Sequence, residues 1–207
     1  RTLCSGDGED ECAIVEGERR VARLVRREMP AAARPWRTDG TALVTGGLGA
    51  LGRATAKELA RRGVRHLVLV SRRGPEAPGA EQARAELEAM GARVTLAAVD
   101  VADRAGMAAL LERVEAAGPR VSAVFHAAGA TDDGMMVGLD EGRLANVLRS
   151  KADGTLVLDE LLGDRPLDAF VLYSSLAGTL GQPGAAGYAA ANAGLDAFAR
   201  GRRSALS

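Results

Sequence analysis

The sequence lacks several features by which whole classes of protein are recognised. Its 27 basic and 27 acidic residues cancel to a formal net charge of zero, whereas nucleic-acid-binding and polybasic membrane-surface proteins carry a basic excess. No apolar run approaches the ~20 residues that a membrane-spanning helix needs. Residues 1–17 are acidic and contain no apolar signal core. We therefore expect a cytoplasmic protein that binds neither nucleic acid nor membrane.

Lysine, cysteine and aromatic residues are also scarce. Lys57 and Lys151 are the two lysines among 27 basic residues, and all the others are arginine. Cys4 and Cys12 have no histidine or further cysteine near them, so we expect free thiols rather than a disulfide or a metal site. With three Phe, two Tyr and one Trp, the core must be built from Ala, Val and Leu.

Residues 1–40 differ in pattern from the rest of the chain. The segments 13–16 and 20–26 alternate apolar and polar residues on either side of a Glu-Gly-Glu turn, which is typical of a β-hairpin. The stretch 28–40 contains two prolines and an alanine run, as linkers often do. Because a lone two-stranded hairpin is marginal in water, this hairpin must pack against the main domain or a partner.

From residue 41 onward, short apolar runs alternate with amphipathic stretches. The runs have the length of strands and cover residues 41–45, 66–70, 94–99, 123–126 and 169–173. The amphipathic stretches predict helices over residues 53–62, 81–90, 103–117 and 140–162, and a last helix over 189–204. Near-continuous apolar strands that alternate with helices predict a parallel sheet covered on both faces. With right-handed crossovers, the predicted fold class is α/β, a doubly wound, Rossmann-like sheet.

A glycine-rich turn follows the first of these strands. Gly47-Leu48-Gly49-Ala50-Leu51-Gly52 has the form G-x-G-x-x-G and leads into the predicted helix 53–62, which is the context in which this motif binds a dinucleotide. The glycines let the backbone approach a pyrophosphate closely. The amino end of the helix adds free N–H groups and the positive end of the helix dipole.

The second strand ends in Ser71, Arg72 and Arg73, with no carboxylate. Enzymes that bind NAD place an acidic residue near this point, whereas an arginine accommodates the 2′-phosphate of NADP. We therefore predict NADPH as the cofactor. Asp100, at the end of the third strand, either faces the adenine in the cleft or caps the helix that follows.

Four separated motifs carry a family resemblance: TGGLGALG at 45–52, HAAG at 126–129, YSS at 173–175 and YAAAN at 188–192. Their order and spacing resemble the short-chain dehydrogenase/reductases and, more narrowly, the ketoreductase domains of modular polyketide synthases. The resemblance covers the chain from about residue 34 to its last residue. Residues 1–33 resemble the end of the non-catalytic structural subdomain of such a domain.

The resemblance implies a catalytic set of Lys151, Ser175, Tyr188 and Asn192. The broader family has Tyr-x-x-x-Lys, but here Asn192 stands four residues after Tyr188 and the lysine precedes the tyrosine, an exchange similar to that of synthase ketoreductases. Ser175 is preferred over Ser174 because its 13-residue spacing to Tyr188 matches the family. The implied cofactor-binding residues are Thr45, Gly47, Gly49, Leu51, Gly52, Ser71, Arg72, Asp100, Val101, Ala127, Ala128, Gly129, Lys151 and Tyr188.

The chemistry of these side chains suits the reduction of a ketone. The nicotinamide would supply a hydride and Tyr188 a proton. Because a nearby ammonium favours the phenolate, Lys151 is expected to assist that proton transfer. Ser175 would donate a hydrogen bond to the substrate carbonyl, and Asn192, on the same helix face as Tyr188, would bond Lys151 or a water. Lys57 is expected to be solvated.

The resemblance also implies a substrate. It is a β-ketoacyl thioester on the phosphopantetheine arm of an acyl carrier protein, with neighbouring synthase domains as further partners. Family members that form the D-alcohol, called B-type, carry Leu-Asp-Asp where this chain has Thr131-Asp132-Asp133, and Asp133 is the more diagnostic position. A-type members carry a tryptophan where Leu180 stands, and epimerising members a proline where Ala190 stands. We expect B-type reduction without epimerisation.

Two other function classes stay open on the sequence. One is the equivalent domain of a fatty-acid synthase or a stand-alone carbonyl reductase, although the N-terminal hairpin disfavours the stand-alone form. The other is a non-catalytic nucleotide-binding module, which the intact Lys-Ser-Tyr-Asn set disfavours. A complete domain of the family continues with two more strands and a lid helix. The 207 residues alone are therefore expected to bind cofactor weakly and to reduce poorly.

Overall fold

The computed structural model describes residues 8, 9, 12–26, 28, 39–132 and 134–205. The chain divides into two compact units, Arg1–Pro35 and Trp36–Ser207. Cys4 and most of the predicted linker 28–40 lie outside the described residues. Cys12 is an exposed, free thiol.

The first unit contains an antiparallel hairpin of β1 (Cys12–Val15) and β2 (Glu18–Val21). Glu16 and Gly17 turn the chain with φ angles of 53° and 83°. Two central residues with positive φ match the right-handed twist of the flanking strands, so pairing begins directly at Val15 and Glu18. The second strand therefore begins and ends earlier than the predicted 20–26.

The second unit is built on a five-stranded parallel sheet with the order β5-β4-β3-β6-β7. Its strands are β3 (Thr41–Thr45), β4 (His66–Ser71), β5 (Arg93–Ala98), β6 (Val121–His126) and β7 (Ala169–Leu172). The predicted doubly wound sheet is confirmed. The chain runs from β3 towards one edge and then returns to place β6 on the other side of β3. Ligands bind such sheets at the carboxyl ends of the two strands where the order reverses.

Helices connect these strands and cover the sheet. They are α1 (Ala50–Arg61), α2 (Ala80–Ala89), α3 (Arg104–Ala117), α4 (Glu141–Leu148), α5 (Gly154–Leu162), α6 (Ala177–Leu180) and α7 (Ala186–Ala205). The helix predicted over 140–162 is interrupted, because a π-helical turn at Arg149–Asp153 joins α4 to α5. The short helix α6 was not predicted. Within the described part of the chain, no helix combines the length and apolarity needed to cross a membrane.

The core lies on both faces of the sheet because side chains alternate along its strands. Val44 and Leu69 pack with Leu59 of α1 on one face. Leu43 and Leu110, the latter from α3, pack together on the other face. These side chains are less than 5% exposed, and burying each contributes about 1.5–3 kcal/mol. The largest fully buried side chains are mainly leucines and valines, as the scarcity of aromatic residues predicts.

Lys57 differs from the solvated side chain that the sequence predicted. Its Nζ lies 2.6 Å from Glu86 Oε2, which joins α1 to α2. The two side chains are 42% and 38% exposed, and solvent screens such a pair. Lys57 therefore forms a surface ion pair that contributes little to stability.

Candidate active site

The glycine-rich turn packs too tightly for side chains. Gly46 has a φ of 62° and a Cβ on it would lie 2.6 Å from the Ala127 carbonyl oxygen. A Cβ on Gly52 would lie 2.2 Å from the Gly46 oxygen, so the start of α1 sits directly on the turn. The sequence prediction included Gly52 but missed Gly46. The doubled glycine at 46 and 47 was the signal that could have found it.

The amino end of α1 is open for an anion. Gly49 stands at the N-cap in an extended conformation, where no side chain caps the helix and the first turn has no acidic residue. Gly49 N–H donates to the Gly46 carbonyl over 2.9 Å. The first N–H groups of the helix therefore retain the capacity to bind phosphate.

A cleft begins beside this turn, at the carboxyl ends of β3, β4, β5 and β6. Seven predicted cofactor residues line it: Thr45, Ser71, Arg72, Asp100, Val101, Ala128 and Gly129. Gly49, Arg72 and Arg73 line an adjoining depression. Both arginines are exposed. The cleft thus runs from the glycine turn to the guanidinium groups after β4.

The side chains of three predicted cofactor residues are engaged elsewhere in the protein. The Thr45 hydroxyl is buried and bonds His126 Nδ1 over 2.6 Å. The Ser71 hydroxyl accepts from Gly74 N–H over 2.9 Å. The Leu51 side chain is 59% exposed and lines an apolar groove beside Tyr173 on the α1 face of the sheet. At Leu51, only the backbone N–H is placed to meet a phosphate.

Asp100 faces the cleft and does not cap α3. Its carboxylate accepts from Ala102 N–H over 3.0 Å and from Arg149 Nε over 3.1 Å. Burial opposes ionisation of Asp100, but these hydrogen bonds outweigh it and hold the pKa of the carboxyl below its usual value. The cap of α3 is Asp103, which accepts from Gly106 N–H. Of the two alternatives for Asp100, the cleft is the one that the geometry favours.

Lys151 is buried in the π-helical turn, with 5% of its surface exposed. Its Nζ donates to the Tyr173 carbonyl over 2.9 Å and lies 5.5 Å from the centre of the Tyr188 ring. A Cβ on Gly129 would lie 3.2 Å from Lys151 Cε, so the HAAG glycine leaves room for the lysine. Burial lowers the pKa of Lys151 below its usual value. The structure therefore brings Lys151, Tyr188 and the end of the cleft together.

Tyr188 and Asn192 share α7, and the helix begins early enough for Tyr188 to lie in its first turn. Asn192 is completely buried. Its Nδ2 donates to the Tyr188 carbonyl over 2.7 Å, rather than to a group of Lys151. Among the described residues its Oδ1 is a buried acceptor without a hydrogen-bond partner. Buried acceptors are normally satisfied, so this oxygen is open to a water or a further donor.

The two serines after β7 make different hydrogen bonds. Ser174 Oγ donates to the Asn192 carbonyl over 3.2 Å and ties the strand end to α7. Ser175 Oγ accepts from Ala177 N–H over 3.2 Å, which leaves its own hydroxyl hydrogen able to donate. The short α6, which begins two residues after Ser175, packs against α7. Ser174 thus bonds within the scaffold, whereas Ser175 keeps a hydroxyl hydrogen that it can donate.

The loop after β6 carries the residues predicted to set stereochemistry. Asp133 lies outside the described residues. Its neighbour Asp132 accepts from Arg143 Nε over 2.8 Å and from Asn146 Nδ2 over 3.3 Å, which anchors the loop to α4. Leu180, at the end of α6, is 53% exposed. The sequence did not predict the role of Asp132 and Arg143 as loop anchors.

Known proteins share this arrangement. The KR domain model matches residues 40–206. Erythronolide synthase EryA3 of Saccharopolyspora erythraea is 51% identical over 206 residues, which cover 98% of this chain and 6% of that protein. The pikromycin polyketide synthase component PikAIII of Streptomyces venezuelae is 47% identical over 203 residues, which cover 97% of this chain and 13% of that protein. The chain therefore spans only a small part of these synthases.

Solved structures agree in fold and sequence. An A-type ketoreductase from a modular polyketide synthase has a TM-score of 0.87 and 47% identity, over 98% of this chain and 44% of that one. The first ketoreductase of the tylosin synthase has a TM-score of 0.85 and 45% identity, over 99% of this chain and 44% of that one. These findings confirm the resemblance of the four motifs. The chain belongs to the KR domain family, the ketoreductases of modular polyketide synthases, which are oxidoreductases.

Proposed function

We propose that this chain carries the centre for NADPH-dependent reduction of a β-ketoacyl thioester, held on an acyl carrier protein, to the β-hydroxyacyl thioester. The observation that carries the proposal is the buried Lys151 ammonium, which lies on the Tyr173 carbonyl and beside the Tyr188 ring. Burying a charge costs free energy unless the charge is paired and hydrogen-bonded. Lys151 lies at the end of a dinucleotide-type cleft, where its charge would act on the reacting groups.

The residues present fit a nicotinamide dinucleotide. Gly46 and Gly52 form a cradle that a Cβ would fill, and the uncapped α1 offers its N–H groups to a pyrophosphate. Exposed Arg72 lines the cleft after β4 and would hold a 2′-phosphate, since guanidinium groups suit phosphate geometry. When bound, the cofactor supplies the hydride that the carbonyl carbon receives.

The chain's own residues donate and replace the proton that the substrate oxygen receives. Tyr188 gives its hydroxyl proton to the substrate oxygen, so that carbonyl carbon and oxygen together gain one hydride and one proton and become an alcohol. The positive charge of Lys151 stabilises the negative charge left on Tyr188. Ser175 donates to the substrate oxygen and orients it. Asn192 Oδ1 accepts from a water that returns a proton towards Lys151 and Tyr188.

NADPH oxidation followed at 340 nm, measured on the complete ketoreductase domain with a β-ketoacyl thioester as substrate, tests this assignment. Tyr188→Phe removes the proton donor and is expected to lower kcat by roughly 10²–10⁴-fold. Lys57→Arg is the matched control, because Lys57 pairs on the surface with Glu86, and it should retain the wild-type rate. A Tyr188→Phe protein with wild-type kcat would contradict the assignment.

The preference for NADPH has its own test. Arg72→Ala is expected to lower kcat/KM for NADPH while leaving kcat/KM for NADH nearly unchanged, because only the 2′-phosphate would meet the guanidinium. Arg84→Ala is the control, since Arg84 pairs with Glu81 on α2. An equal loss with both cofactors would remove the basis for the NADPH assignment.

We infer B-type stereochemistry from Asp133 and from the absence of a tryptophan at Leu180. Asp132, the residue before Asp133 in the sequence, is anchored to α4 by Arg143. The expected product is the D-configured alcohol with the α-carbon unchanged. Chiral analysis of the product decides the matter, and an L-configured alcohol would overturn it.

A further inference from the structure

Three residues of the second unit form a closed ring of hydrogen bonds around the buried lysine. His126 Nε2 lies 3.2 Å from the Lys151 carbonyl oxygen. Lys151 Nζ donates to the Tyr173 carbonyl over 2.9 Å. Tyr173 N–H donates to the His126 carbonyl over 3.1 Å. Each residue is thus bonded to both of the others. His126 contacts the Lys151 carbonyl through its side chain and the Tyr173 N–H through its own carbonyl.

The contacts fix the protonation of His126. A carbonyl oxygen only accepts hydrogen bonds, so Nε2 carries the hydrogen. Nδ1 is then the acceptor of the Thr45 hydroxyl at 2.6 Å. Burial lowers the pKa of His126 to about 4, so the imidazole is neutral in this arrangement at neutral pH. The His126 imidazole therefore donates through Nε2 to the Lys151 carbonyl and accepts through Nδ1 from the Thr45 hydroxyl.

The Lys151 carbonyl lies in a π-helical turn. A π turn inside an α-helix changes the regular hydrogen-bond pattern and is often found at functional sites. Here the Lys151 carbonyl accepts from the Thr155 hydroxyl over 2.7 Å as well as from His126. The helix gives this carbonyl the Gly154 N–H, and the two side chains add further donors to it. The direction of the Lys151 side chain follows from the position of that backbone.

We propose that His126 is a positioning residue of the ketoreductase centre, which aims the Lys151 ammonium at Tyr188 through the Lys151 backbone and the Tyr173 strand end. His126 makes no contact with the reacting atoms in this role. It also joins Lys151 to Thr45, the residue before the glycine turn. The inference rests on the proposed catalytic role of Lys151.

The chain contains a matched control for this residue. His66 is the only other histidine, and both of its ring nitrogens likewise have partners, with Nδ1 2.8 Å from Thr41 Oγ1 and Nε2 3.1 Å from Thr95 Oγ1. It is buried at the amino end of β4, and β3 separates that strand from β6. Substitution of His66 therefore perturbs stability in a similar way without touching Lys151.

Substitution of His126 by asparagine and by glutamine tests the hydrogen bonds of its two ring nitrogens separately. The asparagine amide reaches about as far as Nδ1 and keeps the Thr45 bond, whereas the glutamine amide reaches Nε2 and keeps a donor for the Lys151 carbonyl. His126→Asn is expected to lower kcat roughly tenfold or more, with the dissociation constant of NADPH unchanged. His126→Gln should restore most of kcat. His66→Asn and His66→Gln should both retain it.

A spectroscopic measurement reports on Lys151 directly. With ¹³Cε-labelled lysine the protein gives two lysine signals, since the chain has only Lys57 and Lys151, and Lys57→Arg assigns them. His126→Asn is expected to shift the Lys151 signal towards that of an exposed lysine, whereas His126→Gln and both His66 variants leave it in place. Should His126→Asn fail to fold, Thr45→Val, which removes the donor to Nδ1, is measured in the same way.

Each outcome bears on the proposal. A wild-type kcat and an unmoved Lys151 signal in folded His126→Asn or Thr45→Val would overturn it. So would an equal loss of kcat in His126→Gln, or the same loss in the His66 variants. Lys151→Met is included as a separate arm. If that variant also keeps the wild-type kcat, the proposed function itself fails, rather than the role of His126.

Discussion

Replacing Lys151 with methionine is expected to lower kcat while leaving the fold intact. The ammonium is 5% exposed, and its burial lowers the pKa of Lys151, so the folded protein carries this charge at a cost. Methionine has a similar length and no charge. The loss of one charged hydrogen-bond donor is worth about 1.5–3 kcal/mol. Applied to the transition state, this lowers kcat roughly 10- to 100-fold.

The effect of the same change on stability is small because two terms oppose each other. The Tyr173 carbonyl loses its bond from Nζ, which costs about 1–3 kcal/mol, but the protein no longer buries a charge. The folded state also holds the Lys151 proton less tightly than the unfolded state. Wild-type stability should therefore rise as the pH approaches the usual lysine value of 10.5, and the variant should lack this increase.

Two measurements on purified protein test these expectations. NADPH oxidation at 340 nm gives kcat, and urea unfolding gives the free energy of unfolding at pH 7 and pH 10. Lys57→Met is the control, and both its kcat and its stability should stay close to wild type. An unchanged kcat in Lys151→Met would refute the catalytic reasoning. A loss of more than about 3 kcal/mol in stability would show instead that the ammonium is a structural element.

Three further predictions follow from particular contacts. Gly46→Ala forces a Cβ into the turn and should weaken NADPH binding at least about tenfold, measured by fluorescence titration, whereas Gly194→Ala, in open space on α7, should stabilise the protein by about 0.5–1 kcal/mol. Ser175→Ala should lower kcat roughly 10²-fold, but Ser174→Ala should mainly lower the melting temperature, because its hydroxyl holds the Asn192 carbonyl. The pKa of His126 is lowered to about 4 in the folded state, so its contribution to stability is present above about pH 6.5 and is lost as pH falls towards 4. His126→Gln should flatten this part of the urea-unfolding profile, and an unchanged acid sensitivity would contradict it.

The sequence by itself determined the layered architecture. Apolar strands alternating with amphipathic helices leave few arrangements other than a parallel sheet covered on both faces, and the glycine turn after β3 indicates where a dinucleotide would lie. The hairpin before the main domain was also predicted, although its second strand was placed too late. These features depend on residues that are near one another in the chain, so local pattern is enough to predict them.

Only the tertiary structure decided how the catalytic candidates meet. Spacing placed Lys151 on a helix, but not in a π turn whose carbonyl is held by His126 and Thr155. The sequence left Asn192 to bond either Lys151 or a water. In the structure Lys151 Nζ lies on the Tyr173 carbonyl and Asn192 Nδ2 on that of Tyr188. These contacts join residues from different strands and helices and involve backbone carbonyls, which every residue carries alike. A side-chain pattern cannot indicate which carbonyl a buried ammonium will reach, because that depends on how the strands and helices pack in three dimensions.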